Sequence, residues 1–363
     1  MSALEKVVLV ECSSVDSLPD YPVLAIDVGA GTQDILLYDP EVPPESCVKL
    51  ILPSQPVIVG RKIARATSER KDVFLCGNLM GGGKSASAVR RHVEAGLGVY
   101  ATELAARTID DNLDTVRQLG VQIVEEGPGN AVPVEMRDVD IGQIGAVLSE
   151  FQLQIPARTA VAVQDHGDCP TSSNRKFRFE QWRRFVEIGG DLANLVYRDP
   201  PARLTRLRAV QADVPGAVVM DTASSAVIGC LEDGLVADRL SDKLVIINVG
   251  NAHTCAFALI EGRVRGIFEH HTRKVTADKV AALVARLTSG VITNAEVFDD
   301  GGHGASVSDE MGAQQEGWFV AVTGPNRRIV RELGYYEACP HGDMMLTGCY
   351  GLVRGYALAH SAP

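Results

Sequence analysis

The chain is poor in aromatic residues, 5% of its 363, and holds no apolar run near the roughly 18 residues that a membrane-spanning helix needs. The apolar segment at residues 7–10 gives way to polar residues, so neither a secretory leader nor a membrane anchor is expected, and the chain reads as cytoplasmic. Basic residues are outnumbered: 35 Lys plus Arg against 46 Asp plus Glu give a formal net charge of −11. That balance leaves no general basic surface for phosphate backbones and excludes nucleic acid as an expected partner. Cysteines stand apart, at Cys12, Cys47, Cys76, Cys169, Cys230, Cys255, Cys339 and Cys349, with no C-x-x-C pair and several inside apolar runs. This excludes a secreted disulfide framework and reads as reduced thiols.

What is present is core and glycine. Hydrophobic residues reach 46%, which excludes disorder and supports two domains at about 150 residues each. Glycine, 35 of 363, exceeds the usual share of about 7%, a sign of backbone approaching ligands closely. Short β-rich runs at 24–28, 35–38, 48–52, 73–76, 159–163, 217–220, 244–249 and 319–322 predict strands. They alternate with helical patterns at 86–95, 102–119, 179–188, 223–231, 277–287, 326–333 and 344–359. Loops are expected at 125–140 and at Asp199-Pro200-Pro201. The class is α/β.

One segment repeats. Ile26-Asp27-Val28-Gly29-Ala30-Gly31-Thr32 is echoed by Ile247-Asn248-Val249-Gly250-Asn251-Ala252-His253-Thr254, each an apolar strand, a small-residue turn and a second apolar strand. Turns of this kind leave backbone N–H groups uncovered, and two of them facing across a cleft can grip successive phosphates of a nucleotide. Asp27 could hold Mg²⁺ through water, and Thr32 and Thr254 would add hydroxyl donors. Asp221, at a strand-to-helix junction, would point into the same cleft and orient the attacking water or hydroxyl. The turn at Thr323-Gly324 could carry base and ribose, and the small-faced helix at 344–358 could pack closely on another.

The order of these five elements resembles the actin, heat-shock chaperone and sugar kinase ATPase superfamily over nearly the whole chain. The resemblance implies a two-lobed ribonuclease H-like (actin-like ATPase) fold of duplicated domains, with a cleft for ATP and Mg between them. It implies an N-terminal lobe at 1–222 with inserted loops and helices at about 78–158, a C-terminal lobe at 223–342 and a helix at 343–363 returning to the first lobe. It places Asp27, Gly29, Gly31, Thr32, Asp221, Gly250, Thr254 and Gly324 at the phosphate and adenosine positions. Asn248 departs from the pattern, since most members have aspartate there, which makes nucleotide binding more secure than turnover. More narrowly, the strings at 25–34, Gln164-Asp165-His166-Gly167, Glu269-His270-His271-Thr272 and 340–345 are similar to a family labelled pyruvate formate-lyase activating enzyme. A radical activator holds its [4Fe–4S] cluster with C-x₃-C-x₂-C, a ligand set this sequence lacks. The chain does not read as a radical SAM enzyme.

Three further constellations are open. Residues 77–85 imitate a phosphate-binding loop, but Asn78 stands where G-x₄-G-K-S needs glycine; the stretch is either an anion-binding helix start or a Gly-rich connection. His166, His270, His271, His303 and His341 sit beside carboxylates or glycines, suiting Zn²⁺, Fe²⁺ or general acid/base work, or serving only as structural histidines. Of these, His166 and His341 are the favoured pair. Arg175, Lys176 and Arg178 read as a solvated helix face, with reception of an acidic substrate as the alternative. The resulting expectation is an Mg·ATP-binding ATPase or phosphotransferase acting on a small acidic or hydroxylated substrate, or activating a partner enzyme. The alternatives are a metal-dependent transferase on the same fold and a nucleotide binder without turnover.

Overall fold

A computed structural model describes residues 18–169, 173–312 and 317–361; the apolar segment at 7–10 and Cys12 lie outside them. The chain runs through β1 (Val23–Val28), β2 (Thr32–Tyr38), β3 (Val48–Pro53), β4 (Val73–Gly77), β5 (Val99–Ala101), β6 (Val121–Ile123), β7 (Val132–Met136) and β8 (Thr159–Val163). It continues through β9 (Val196–Tyr197), β10 (Val218–Met220), β11 (Lys243–Val249), β12 (His253–Ile260), β13 (Arg263–His271), β14 (Gly304–Val307), β15 (Phe319–Thr323) and β16 (Tyr336–Glu337).

Two sheets repeat one topology. In the first the order is β3-β2-β1-β8-β10-β9, and in the second β14-β13-β12-β11-β15-β16. In each, a three-stranded antiparallel meander is joined by strands parallel to its first member: β8 beside β1, with β10 beyond, and β15 beside β11, with β16 beyond. The residues explain the arrangement. Strands β1, β8 and β11 are almost wholly buried and apolar, as strands covered on both faces must be. This is the duplicated, two-lobed actin-like architecture. The carboxyl ends of β1, β8, β11 and β15 open toward one crevice, where ligands of α/β sheets bind.

The helices Thr222–Cys230 and Thr347–Ser361 lie against each other between the lobes. Glycine permits it: a Cβ on Gly229 would overlap the Thr347 carbonyl, and one on Gly351 the Ser225 carbonyl. One apolar cluster consequently runs through both lobes, from Val23 and Ala160 through Val227 and Tyr350 to Leu244 and Phe257.

A third, all-parallel sheet, β6-β5-β4-β7, is inserted between β3 and β8. Its core draws on Val59 and Ile63 of the helix Gln55–Ser68 as well as on Val99, Val121 and Val134. The helix Ile141–Ser149 then packs Ile144 and Leu148 back on the first sheet. Two expectations need correction here. The stretch 125–140, expected as loop, contains β7, an edge strand that tolerates Pro133. The helix expected over 102–119 breaks into Glu103–Ala106 and Leu113–Gln118, because Asn112 caps the second piece by accepting from the Asp114 N–H. Among the described residues no helix is long and apolar enough to cross a membrane.

Candidate functional site

Between the lobes lies a cleft of about 320 Å³, lined by both glycine turns, by Asp27, Asp34, Asn248 and Thr323, and by Gly81–Gly83 of the inserted unit. The two hairpins close with the same bond: Gly29 N–H donates to the Thr32 carbonyl (2.8 Å) and Gly250 N–H to the His253 carbonyl (2.9 Å). Their tips meet across the cleft, since a Cβ on Gly31 would stand 3.7 Å from Asn251 Nδ2. Gly324 turns the chain at φ +99°, where a side chain would run into Asn248 and Val249. The turn is tied to the second hairpin by Asn326, whose N–H reaches the Val249 carbonyl and whose Nδ2 reaches that of Gly250, both at 3.0 Å. Gly29, Ala30, Thr32, Gly250, Asn251, Thr323, Gly324 and His166 thus share one cavity.

Register corrects one assignment. Asp27 faces Asp34 across β1 and β2, and Asn248 faces Cys255 across β11 and β12. The counterpart of Thr32 is therefore His253, and Thr254 matches Gln33, one residue further along. A one-residue step in a strand reverses the side chain's face. Thr254 is accordingly buried and bonded to the Thr272 hydroxyl (3.1 Å), away from the cleft.

Asp27 and Asp34 form the acidic wall. Burial pushes the Asp27 carboxyl well up, aided by Asp34 and Asp221. Burial likewise raises Asp34 to about 7, against a bond from Thr32. One oxygen of each, Oδ1, is buried without a hydrogen-bond partner. Like charges placed directly opposite in a sheet destabilise it, and two orphaned carboxylate oxygens suit a hard, oxygen-seeking cation. The residues present therefore fit Mg²⁺ at Asp27, with Asp34 as a second carboxylate that the sequence reading passed over. The register of the first hairpin, which pairs position 27 with position 34, brings it there.

Asp221 does not open onto the cleft. Its oxygens accept from the N–H groups of Asp165 (2.9 Å) and Ala223 (3.0 Å) and from Arg178 at 2.7 and 3.0 Å. A carboxylate so engaged caps the helix Thr222–Cys230 and cannot orient an attacking group. Arg178, read as part of a solvated face, is 3% exposed in the helix Asn174–Glu187 and bridges the lobes, its Nε on Glu269 at 2.7 Å. Burial opposes both charges, yet the pairing holds Arg178 protonated and Glu269 ionised. Arg175 donates to the Gly302 carbonyl at 2.6 Å.

Four histidines converge, though not the pair favoured from sequence. His166, after β8, meets His253 at the second hairpin tip and His303 ahead of β14, with ring centroids 5.9, 5.2 and 4.5 Å apart in the pairs 166–253, 166–303 and 253–303. His271 borders His253 and His303. His341 lies elsewhere: at φ +47° it packs on Tyr350 and stands 3.6 Å from Glu232, so it takes no part in the cluster. Burial drives His166 well below the ordinary imidazole range, His303 to about 3 and His271 to about 4. His253 escaped sequence reading because the residues it meets, from Gln164 and His166 to Glu269 and His303, come from distant parts of the chain; Glu269 in turn bonds Gln164 at 2.7 Å.

Fold and cleft define a two-lobed actin-like α/β protein, in line with the resemblance to the actin, heat-shock chaperone and sugar kinase superfamily. The chain belongs to the family described as "Putative pyruvate format-lyase activating enzyme (DUF1786)", whose model matches residues 80–329. No curated protein matches. Among solved structures, it is similar to a ROK family transcriptional regulator, homolog of the E. coli MLC protein, at 8% identity over 68% of this chain and 38% of that one (TM-score 0.27). It is similar also to an inorganic polyphosphate/ATP-glucomannokinase from Arthrobacter sp. strain KM (11%, 94% and 100%, TM-score 0.38) and to a PilM–PilN type IV pilus biogenesis complex (11%, 95% and 100%, TM-score 0.39). The chain spans 38% of the first of these.

Proposed function

We propose that the cleft binds Mg·ATP and that the protein transfers its terminal phosphoryl group to water or to a small acidic or hydroxylated acceptor. The observation that carries this reading is the facing pair of identically closed glycine turns, with Gly31 and Asn251 at the tips. Backbone N–H groups at such turns bind anionic oxygens without side-chain entropy cost, and glycine lets them approach. Gly29 to Gly31 would hold one side of the phosphates, Gly250 to Ala252 the other, and the turn at Gly324 the adenosine. Asp27 would hold the Mg²⁺ through water with Asp34 beside it, and the cation would neutralise phosphate charge. The protein's own contribution is positioning and electrostatic stabilisation, which dominate phosphoryl transfer. Gly81–Gly83, on the inserted unit, line the cleft where an acceptor could enter.

The family label suggests activation of another enzyme, which closure of the two lobes on the bound nucleotide would drive. Cys349 gives a radical cluster no support, because its thiol is buried and turned to the Asp34 carbonyl at 3.0 Å. One observation favours binding without turnover: Asn248, not aspartate, lies opposite Asp27 in the repeat. Phosphate release separates the readings. Transfer to water predicts ATP-dependent phosphate release in the wild type, whereas transfer to an added acceptor predicts a rise in ADP formation with the phosphoryl group recovered on the acceptor. A pure binder stays silent until Asn248→Asp supplies the missing charge.

A further inference from the structure

We propose that His166, His253 and His303 bind one divalent transition-metal ion of the zinc class, with a remaining coordination position open to the cleft. This goes beyond the nucleotide reading, uses different residues and stands without it. Each of the three offers a ring nitrogen, and these atoms lie within 4.8 Å of one another. Among the described residues they are the one group of three or more such ligands so placed.

A second observation points to a ligand. His303 is 2% exposed, and neither of its ring nitrogens has a hydrogen-bond partner. Any neutral imidazole carries one N–H and one lone pair, so a buried ring with both unmet gives up the hydration of two polar groups with nothing in return. Packing alone gives no reason to keep a histidine there. An ion satisfies the lone pair.

The surroundings are those of metal-bound imidazoles, whose second nitrogen is held by a carboxylate. Glu269 Oε1 holds His253 Nδ1 at 2.6 Å, leaving Nε2 of that ring for the ion, and stands 3.8 Å from His303 Nδ1, near enough to take its N–H once the cluster is drawn together. Glu269 is fixed in turn by Arg178 Nε and Gln164 Nε2, each at 2.7 Å.

Three imidazoles with neither thiolate nor ligating carboxylate select borderline ions such as Zn²⁺ over Mg²⁺ or Ca²⁺. Three protein ligands are the count of catalytic zinc sites, which keep a fourth position for water or substrate. Here that position faces the cleft, because His166 and His253 line it with Asp27 and the hairpin tips. Bonds of about 2.0–2.1 Å in a tetrahedron bring nitrogens to about 3.3 Å, so loading draws the cluster inward. His166 comes from the first lobe and His253 and His303 from the second, so the ion also ties the lobes together.

The test is metal analysis of the full chain together with Co²⁺ titration of metal-stripped protein, followed by visible absorption. The expected result is one zinc-class ion per chain, an intense tetrahedral Co²⁺ band displaced by Zn²⁺, and at least a hundred-fold loss of Co²⁺ affinity in His303→Ala. His166→Gln, in a loop, supplies the same reading if His303→Ala fails to fold. Asp27→Asn keeps full Co²⁺ binding, so a failure of the nucleotide reading leaves this result untouched. No Co²⁺ band in the wild type, or an equal band in folded His303→Ala or His166→Gln, overturns the proposal.

Discussion

Replacing Asp34 by Asn isolates the cost of the acidic wall. In the folded protein burial raises the Asp34 carboxyl from 3.8 to about 7. The folded state therefore keeps a proton that the unfolded chain has already released at intermediate pH. Stability falls as pH rises from about 4 and levels off above about 7, because the unfolded state binds fewer protons across that window. At 1.36 kcal/mol per pKa unit the full displacement is worth up to about 4 kcal/mol at pH 8. Asn carries no charge to bury, so Asp34→Asn should gain stability over the wild type at pH 8 and lose the advantage near pH 4. Millimolar Mg²⁺ should return part of the difference to the wild type at pH 8 and leave the variant unmoved, since a cation that binds only the folded state stabilises it. Urea unfolding at pH 4, 6 and 8, with and without Mg²⁺, reads both effects. A wild type and variant with parallel pH profiles would refute the reasoning.

Gly351→Ala drives a methyl into the Ser225 carbonyl at the helix crossing, and should cost about 3 kcal/mol in chemical unfolding, while Gly129→Ala, with open space around it, should shift stability by under about 0.5 kcal/mol. Arg178→Met strands the buried carboxylates of Asp221 and Glu269 and should lose about 3–5 kcal/mol, measured by the same unfolding. Asn248→Asp should raise ATP-dependent phosphate release, read in a coupled assay; an unchanged or lower rate would remove position 248 from the catalytic machinery.

Local pattern made the sheets legible. The runs at 24–28, 159–163 and 244–249 are buried on both faces, and their apolar monotony marks them as β1, β8 and β11. The repeated glycine turn exposed the duplication before any topology was known. Inside the inserted unit the signal faded. Strand β6 has one buried residue in three, and β7 alternates Val134 and Met136 with exposed Pro133 and Glu135, so neither stands out from loop. The site divided in the same way. Turn residues were visible because glycine advertises backbone demands, but the roles of Asp221 and Arg178 depend on a bridge between lobes that no local pattern records. The echo was also set one residue out at its end, where only strand register distinguishes His253 from Thr254 as the partner of Thr32. His341 and His166 looked alike in sequence, each beside glycine and acid, yet the fold sends one to Tyr350 and the other to the cleft.

Calorimetric titration of Mg·ATP into the wild type and Gly31→Val tests the central claim most directly. A Cβ at Gly31 has Asn251 Nδ2 as its nearest neighbour, at 3.7 Å, and the valine methyls extend from there into the gap between the tips, so the variant should unfold at the wild-type denaturant concentration. The account predicts one Mg·ATP per wild-type chain and at least a ten-fold weaker affinity in Gly31→Val. Equal affinity in the two proteins, or no heat of binding in the wild type, would contradict it.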